Sequence, residues 1–304
     1  MSVSLTPEDW IGAALPAYGL EGSGVSTLRT LGDAVARVET PGGLYSLRVN
    51  LPGSRERQQE IHRFLALAAA AGMHVPVPLP DLQGRTISPV IGLVGKERTA
   101  VLASWVEGEQ ASRQMSPALA AEVGRVTAQL HALRSRPALW HGPSLDADWL
   151  RGWWQGQAPV HLSPADVARC LPATKAAADW LDGHAPELQV IHADLHFGNL
   201  LTLPEGEVGI LDFGDCALGH PAFDLAMTEG EFMDYPDGPA LVNAYRDAYR
   251  SVTGQPYPLR ARHLMTACTA TSFLEWVYGS DNEDVRAQNL KWIPGLLERL
   301  SRQG

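Results

Sequence analysis

Val190-Ile191-His192-Ala193-Asp194-Leu195-His196-Phe197-Gly198-Asn199-Leu200-Leu201, followed by Gly209-Ile210-Leu211-Asp212-Phe213-Gly214-Asp215, is the stretch from which the rest of the chain can be read. Two apolar, strand-like runs bracket polar residues at fixed offsets. Asn199 lies five positions after Asp194, and Asp212 lies thirteen after Asn199 and opens Asp-Phe-Gly. Three residue types at fixed offsets arise by chance about 0.04 times in a chain of this length, and the downstream Asp-Phe-Gly makes coincidence rarer.

That spacing suits phosphoryl transfer. A triphosphate is held with a divalent cation, and Mg²⁺ takes hard oxygen ligands, one or two of them from protein carboxylates and the rest from phosphate and water. Asn199 and Asp212 would supply the protein oxygens. Asp194 would then orient an attacking hydroxyl and accept its proton, and His192 would brace the loop by hydrogen bonding. The signature of that chemistry runs His-Arg-Asp, Asn five later, then Asp-Phe-Gly; Ala193 stands where it has Arg. A metal site is a rival reading, because His192, Asp194 and His196 share one face if the segment is extended and such triads bind zinc or iron. It leaves Asn199 and the Asp-Phe-Gly without a role.

The chain around this segment has 304 residues, with 24 Lys or Arg against 34 Asp or Glu, a formal charge of −10. With 45% apolar and 19% charged residues it has the composition of a globular protein, and too many apolar residues for a disordered one. The acidic balance argues against a broad nucleic-acid footprint, which needs a basic face. The length predicts two domains or one bilobal unit. Cys170, Cys216 and Cys268 are odd in number and widely spaced, which reads as buried thiols in a reducing compartment. The N-terminus lacks the basic and apolar regions of a secretory signal, and the longest apolar stretch, 64–72, is too short to span a bilayer. A cytoplasmic protein with no membrane or nucleic-acid partner is expected.

Local signals order the elements. Thr6-Pro7-Glu8-Asp9 starts a helix. Strands are expected over 28–31, 35–40 and 44–49, the last two joined by a hairpin turn at Pro41-Gly42-Gly43, with Tyr45, Leu47 and Val49 on one face and Ser46 and Arg48 on the other. A helix over 55–71 stops at Gly72, 75–80 is extended by its prolines, and strands follow at 90–94 and 99–106. Beyond, helical patterns cover 117–133, 146–154, 163–181, 239–253, 259–278 and 284–302, around a β-rich stretch at 190–212. A β-rich lobe, 1–104, is thus predicted to precede a helical lobe, 105–304, that carries the catalytic loop and substrate site.

Over residues 192–199 and 211–215, and over Gly219-His220-Pro221-Ala222-Phe223-Asp224-Leu225-Ala226, the sequence resembles the aminoglycoside phosphotransferase-like enzymes, relatives of the protein kinases that include homoserine, choline and antibiotic kinases. The resemblance implies an α+β, bilobal, protein-kinase-like fold, ATP and Mg²⁺ as cofactors, and transfer of the γ-phosphoryl group to a hydroxyl of a small molecule. It makes Asp224 a support for the catalytic loop. Asp224 follows Asp212 by only twelve residues, which leaves no room for an activation loop and disfavours a protein Ser/Thr kinase. The resemblance extends to the nucleotide loop at Gly32, to Arg48 as phosphate grip in place of the usual Lys, and to Glu60 as the partner of Arg48. It also extends to a hinge at 102–108, whose Ser104 and Val106 backbone would meet the adenine. A nucleotide-binding scaffold without turnover is the alternative from another class, and the presence of Asp194, Asn199 and Asp212 together argues against it.

For the acceptor the residues say less. Trp149, Trp153, Trp154 and Trp180 read as packing in the helical lobe. Glu275-Trp276 reads as a buried Trp beside a surface Glu, or else as pocket lining. Glu229, Glu231, Asp234 and Asp237 form an acidic run suited to a cation or to solvent. Asp215, Glu231, Glu275 and Trp276 are the candidate substrate residues, for a hydroxyl compound of the amino sugar, amino alcohol or hydroxy amino acid type.

Overall fold

The computed structural model describes residues 6–29, 34–49, 54–91, 97–111, 115–280 and 282–303. The chain forms two compact units: Met1–Gln114 with Pro137–Gly142 and Gly198–Gly214, and Met115–Arg136 with Pro143–Phe197 and Asp215–Gly304.

The first unit opens with a capped helix, α1 (Pro7–Ala14). The Thr6 hydroxyl accepts the Asp9 N–H at 3.2 Å and the Asp9 carboxylate accepts the Thr6 N–H at 2.8 Å, a reciprocal capping box. β1 (Gly24–Arg29), β2 (Ala34–Thr40) and β3 (Gly43–Val49) follow. Ala34, Ala36 and Val38 of β2 and Leu47 and Val49 of β3 are buried together with Ile11 and Ala14 of α1, so the period of two decides which face meets the helix. Gly43 closes the hairpin at φ +136°, a conformation that favours glycine. α2 (Arg55–Ala70) is capped by Ser54, whose hydroxyl accepts the Arg57 N–H at 3.2 Å, and Gly72 follows it at φ +80°. β4 (Pro78–Leu79), β5 (Ser88–Ile91) and β6 (Glu97–Ser104) complete an antiparallel sheet in the order β1-β2-β3-β6-β4, with β5 also on β6. β7 (Glu109–Gln110) pairs with β10 (Leu200–Thr202), which pairs with β11 (Val208–Ile210).

The second unit holds α3 (Pro117–Ala132), β8 (Ser144–Leu145), α4 (Ala147–Gly156), α5 (Ala158–His161), α6 (Pro164–Gly183), β9 (Gln189–Ile191), β12 (Ala217–Gly219) and α7 (Ala222–Phe232). It continues through α8 (Gly238–Thr253), α9 (Leu259–Gly279), α10 (Glu283–Leu290) and α11 (Ile293–Ser301). β12 lies between β8 and β9. Trp153 and Trp154 are buried in the helical core, and the Trp154 indole N–H donates to Thr271 at 2.8 Å, as a buried Trp requires. α3 packs so closely on α8 that a Cβ at Gly124 would stand 2.2 Å from the Tyr245 carbonyl oxygen. The three cysteines are buried and none is in a disulfide. Among the described residues no helix is long and apolar enough to cross a membrane.

Three differences from the sequence reading have local causes. Residues 284–302 form two helices, because Pro294 sits in the first turn of α11, where its missing N–H costs nothing. The first strand starts at Gly24, ahead of the expected 28–31, of which Thr30 and Leu31 lie outside the described residues. A single division after residue 104 puts 198–214 with the helical lobe, whereas these residues join the first unit: β10 pairs with β7, and the Ile210 N–H donates to the His74 carbonyl at 2.9 Å.

Candidate active site

In the first unit the β10–β11 hairpin sets the geometry. Its register pairs Leu200 with Ile210, and the Leu211 N–H donates to the Asn199 carbonyl at 2.8 Å. Asn199 and Asp212 therefore leave the same end of one hairpin. Asp212 has φ +55°, left-handed backbone that non-glycine residues rarely adopt. Its carboxylate accepts a hydrogen bond from Arg48 of β3 at 2.8 Å, both side chains being about a quarter exposed or less. Two hard oxygen donors at one hairpin end fit Mg²⁺, which leaves most of its shell to phosphate and water. Among the described residues no three His, Cys, Asp or Glu side chains stand together as a transition-metal site would need.

Glu60 and Arg48, expected as partners, are held elsewhere. Glu60 is buried in α2, and its two carboxylate oxygens accept the His141 backbone N–H at 2.9 Å and the His141 Nδ1–H at 2.8 Å. A buried carboxylate needs donors on both oxygens, and His141 supplies both. Arg57, one turn earlier, donates to the Gly214 carbonyl at 2.8 Å, and Phe64, one turn later, packs edge-on against Phe213 with centroids 6.0 Å apart.

Ser104 and Val106 line a cavity of about 340 Å³ together with Met73, His74, Val75, Trp105, Glu107, Leu203 and Pro204, a size in the range of small-molecule sites. The Ser104 N–H donates to the Val77 carbonyl at 2.9 Å, so the carbonyl is the backbone group Ser104 can offer a ligand. Gly209 passes under this cavity, where a Cβ would meet Val106 Cγ1 at 2.8 Å. Gly32, expected in the nucleotide loop, lies outside the described residues.

In the second unit a buried carboxylate organises the loop before Asp194. Asp224 of α7 accepts the His192 N–H at 3.0 Å, the Ala193 N–H at 2.8 Å and His131 Nε2–H at 3.2 Å. Ala193 has φ +64°, so the clamp spans a strained peptide. His192 is fully buried, and its Nδ1 accepts the Asp194 N–H at 3.2 Å. Asp194 itself is half-buried, with His196 Nε2 3.4 Å from its carboxylate. Thr228, one turn after Asp224, donates to the Leu195 carbonyl at 2.7 Å, and Glu231 accepts the Phe197 N–H. Burial pushes the Glu231 carboxyl up, against the Phe197 hydrogen bond and nearby His196, while Asp234 and Asp194 add to the rise.

Of the other candidate substrate residues, Asp215 and Glu275 are exposed, and Glu275 accepts the Trp149 indole N–H at 2.9 Å. Trp276 is 52% exposed, not buried, because α9 turns it outward beside Glu275. Glu229, expected on an acidic surface, is fully buried: Arg246 grips it bidentately at 2.7 and 2.8 Å, and Arg262 lies 2.6 Å away.

His131 escaped the sequence reading although a signal was there. Thr127 and His131 put two polar side chains four apart on a helix face otherwise lined by Val123, Val126 and Leu130. Tyr249 O lies 3.0 Å from His131 Nδ1, and burial raises the Tyr249 pKa, which keeps it a donor. His141 gave no local signal, since its partner is 81 residues away.

The model of the phosphotransferase enzyme family matches residues 30–264. An uncharacterized protein of Synechocystis sp. is 28% identical over 281 residues, 88% of this chain and 76% of its own length. A homoserine kinase of Methylobacterium nodulans is 26% identical over 259 residues, 80% of this chain and 77% of its own length. A microcompartment-associated aminopropanol kinase of known structure, 20% identical, shares the fold with a TM-score of 0.77 over 96% of both chains.

Proposed function

The chain belongs to the phosphotransferase enzyme family, and from that premise we propose that it moves the γ-phosphoryl group of ATP to a hydroxyl of a small, amine-bearing molecule. The coarser activity, phosphoryl transfer to an alcohol group of a small molecule, and the protein-kinase-like α+β fold go with the family and its structural relatives. One observation supports the use of ATP: the Arg48–Asp212 pair at 2.8 Å sets a guanidinium, a group suited to phosphate, beside a carboxylate, a group suited to Mg²⁺, in the unit that also holds the 340 Å³ cavity.

Adenine would enter that cavity against the Ser104 carbonyl and the Val106 backbone, with Trp105 as a wall. Arg48 would grip phosphate, as a guanidinium does in a fork. Asn199 and Asp212 would hold Mg²⁺, which spreads the phosphate charge as the bond to the leaving group breaks. Asp194 would accept the proton of the acceptor hydroxyl and aim its oxygen. His192 fixes the Asp194 peptide through its Nδ1, and Asp224 fixes the two peptides before it. Buried cysteines outside any disulfide suit a reducing, cytoplasmic setting.

Two considerations favour an amine on the acceptor. Relatives carry the names homoserine kinase and aminopropanol kinase, and both compounds combine an amine with a hydroxyl. Glu231 stands within electrostatic reach of Asp194 and His196, and Asp215, Glu275 and Trp276 add carboxylates and an exposed ring suited to ammonium. Glu229, of the acidic run, is outside that set, since Arg246 and Arg262 pair it in the interior. The test is ATP consumption across a library of hydroxylated amines, hydroxy acids and neutral polyols of matched size. Turnover with amines alone agrees with the reading; turnover with hydroxy acids alone refutes the acceptor class but not the kinase. A protein Ser/Thr kinase would instead phosphorylate peptides, yet the short segment from Asp212 to Asp224 already contains β12 and the start of α7.

A further inference from the structure

We propose that Arg57 is a positioning residue for Asp212: its guanidinium, hydrogen-bonded to the Gly214 carbonyl, holds the Asp-Phe-Gly turn in the strained backbone that presents Asp212 to metal and phosphate. The inference rests on the reading of Asp212 as a metal ligand.

Arg57, Glu60 and Phe64 lie three and four residues apart, on one face of α2. Two of the three touch the turn. Arg57 Nη2 donates to the Gly214 carbonyl at 2.8 Å and Phe64 packs on Phe213. The middle one, Glu60, binds His141 and so anchors α2 to a different segment of the same unit. Asp212 sits at φ +55°, and a side chain in left-handed backbone persists only where its surroundings over-determine it. Arg48 restrains the carboxylate. Arg57 restrains the peptide two residues on, and so the direction in which the turn leaves Asp212. Gly214 is tight as well: a Cβ there would meet Asp212 Oδ1 at 3.3 Å and Arg48 Nη1 at 3.7 Å. Arg57 reaches the carbonyl although its own Nε is buried without a hydrogen-bond partner among the described residues, and a buried donor left unpaired asks for a compensating role. With Glu60 turned to His141, Arg57 gives α2 a polar link to the Asp212 turn, beside the ring contact of Phe64, that the expected Glu60–Arg48 pair does not provide.

The test is Mg²⁺ titration into the protein–ADP complex, read by tryptophan fluorescence, since Trp105 lines the cavity. It compares wild type with Arg57→Gln, Arg57→Lys and Asp212→Ala. A charge-assisted hydrogen bond implies about a tenfold or larger effect. Arg57→Gln should therefore raise the Mg²⁺ midpoint roughly tenfold and lower kcat, leaving Mg²⁺-free ADP affinity and the acceptor KM within about twofold. Arg57→Lys, which keeps a charged donor, should recover most of the loss. Should Arg57→Gln fail to fold, Arg57→Lys carries the test with a smaller shift of the same sign. A merely structural role would lower the melting temperature and both affinities together. An unchanged Mg²⁺ midpoint in Arg57→Gln, beside a lost one in Asp212→Ala, overturns the proposal and leaves Asp212 as metal ligand. A wild-type midpoint in Asp212→Ala overturns both.

Discussion

Replacing Asp224 by Asn removes a charge and one acceptor from a carboxylate that serves three donors. The Asn oxygen can face either the Ala193 N–H or the pair formed by the His192 N–H and His131 Nε2–H, because the wild-type bonds divide that way between Oδ1 and Oδ2. In either flip the amide NH₂ points at a donor. The better flip loses one charge-assisted bond and weakens two, about 3–4 kcal/mol at 1.5–3 kcal/mol per such bond. Ala193, at φ +64°, then has less to hold it in a conformation that costs about 1–2 kcal/mol. Unfolding free energy from urea titration should fall by about 3 kcal/mol. If about 2 kcal/mol reappears as misplacement of Asp194, kcat falls roughly thirtyfold. ADP affinity by calorimetry should stay within twofold of wild type, since Arg48, Asp212 and the cavity belong to the other unit. Ala193→Gly should be near neutral alone, the relief of strain offsetting the added chain entropy, and should restore part of the turnover of Asp224→Asn. Wild-type kcat in Asp224→Asn, or a loss shared equally by kcat and ADP affinity, would refute the clamp.

Asp194→Asn should abolish most turnover while ADP binding by calorimetry is unchanged. Arg48→Ala should raise the ATP KM on the order of tenfold to a hundredfold, the worth of a charged hydrogen bond, in steady-state assays; unchanged ATP kinetics would mean that another group grips the phosphates. The Glu231 pKa is raised, with burial as the leading cause, so this carboxylate takes up its proton at a higher pH than usual. If Glu231 holds the acceptor's ammonium, the acceptor KM rises as pH falls through that raised pKa, and Glu231→Gln removes the pH-dependent limb. Its contribution to stability runs the other way, present at low pH and lost as pH rises through the same pKa, so KM and urea titrations across pH separate the two.

What could be read from the sequence is what short-range chemistry determines. Thr6 with Asp9, Ser54 before α2 and Gly43 in the hairpin act on atoms within three residues, and the elements they bound appear where expected. That Asn199 and Asp212 leave one hairpin end was legible because the register of β10 on β11 turns their spacing into geometry. Long-range competition was not legible. Whether Glu60 meets Arg48 or His141 depends on a segment 81 residues away, and the burial of Glu229 depends on Arg246 and Arg262 on two later helices. Trp276 misled because hydrophobicity predicts burial only on average, and α9 turns it outward.

The β10–β11 hairpin, with Asn199 and Asp212 at its end, is encoded in the midst of the helical unit's sequence yet packs with the sheet unit. The unit that holds Arg48, Asn199, Asp212 and the cavity is therefore not a contiguous stretch of gene. A fragment cut after residue 104 carries Arg48 but less than half of the cavity wall and neither candidate metal-binding residue, and it lacks β7 as well as β7's partner strand. Chimeras between relatives would suffer likewise. Exchanging halves at that point would join one parent's Arg48 to the other parent's Asp212, so Arg57 of one protein would have to seat on the Gly214 carbonyl supplied by another. Recombination that respects the molecule must exchange three separated segments at once, and the specificity of the acceptor side can drift through point changes more readily than through wholesale swaps.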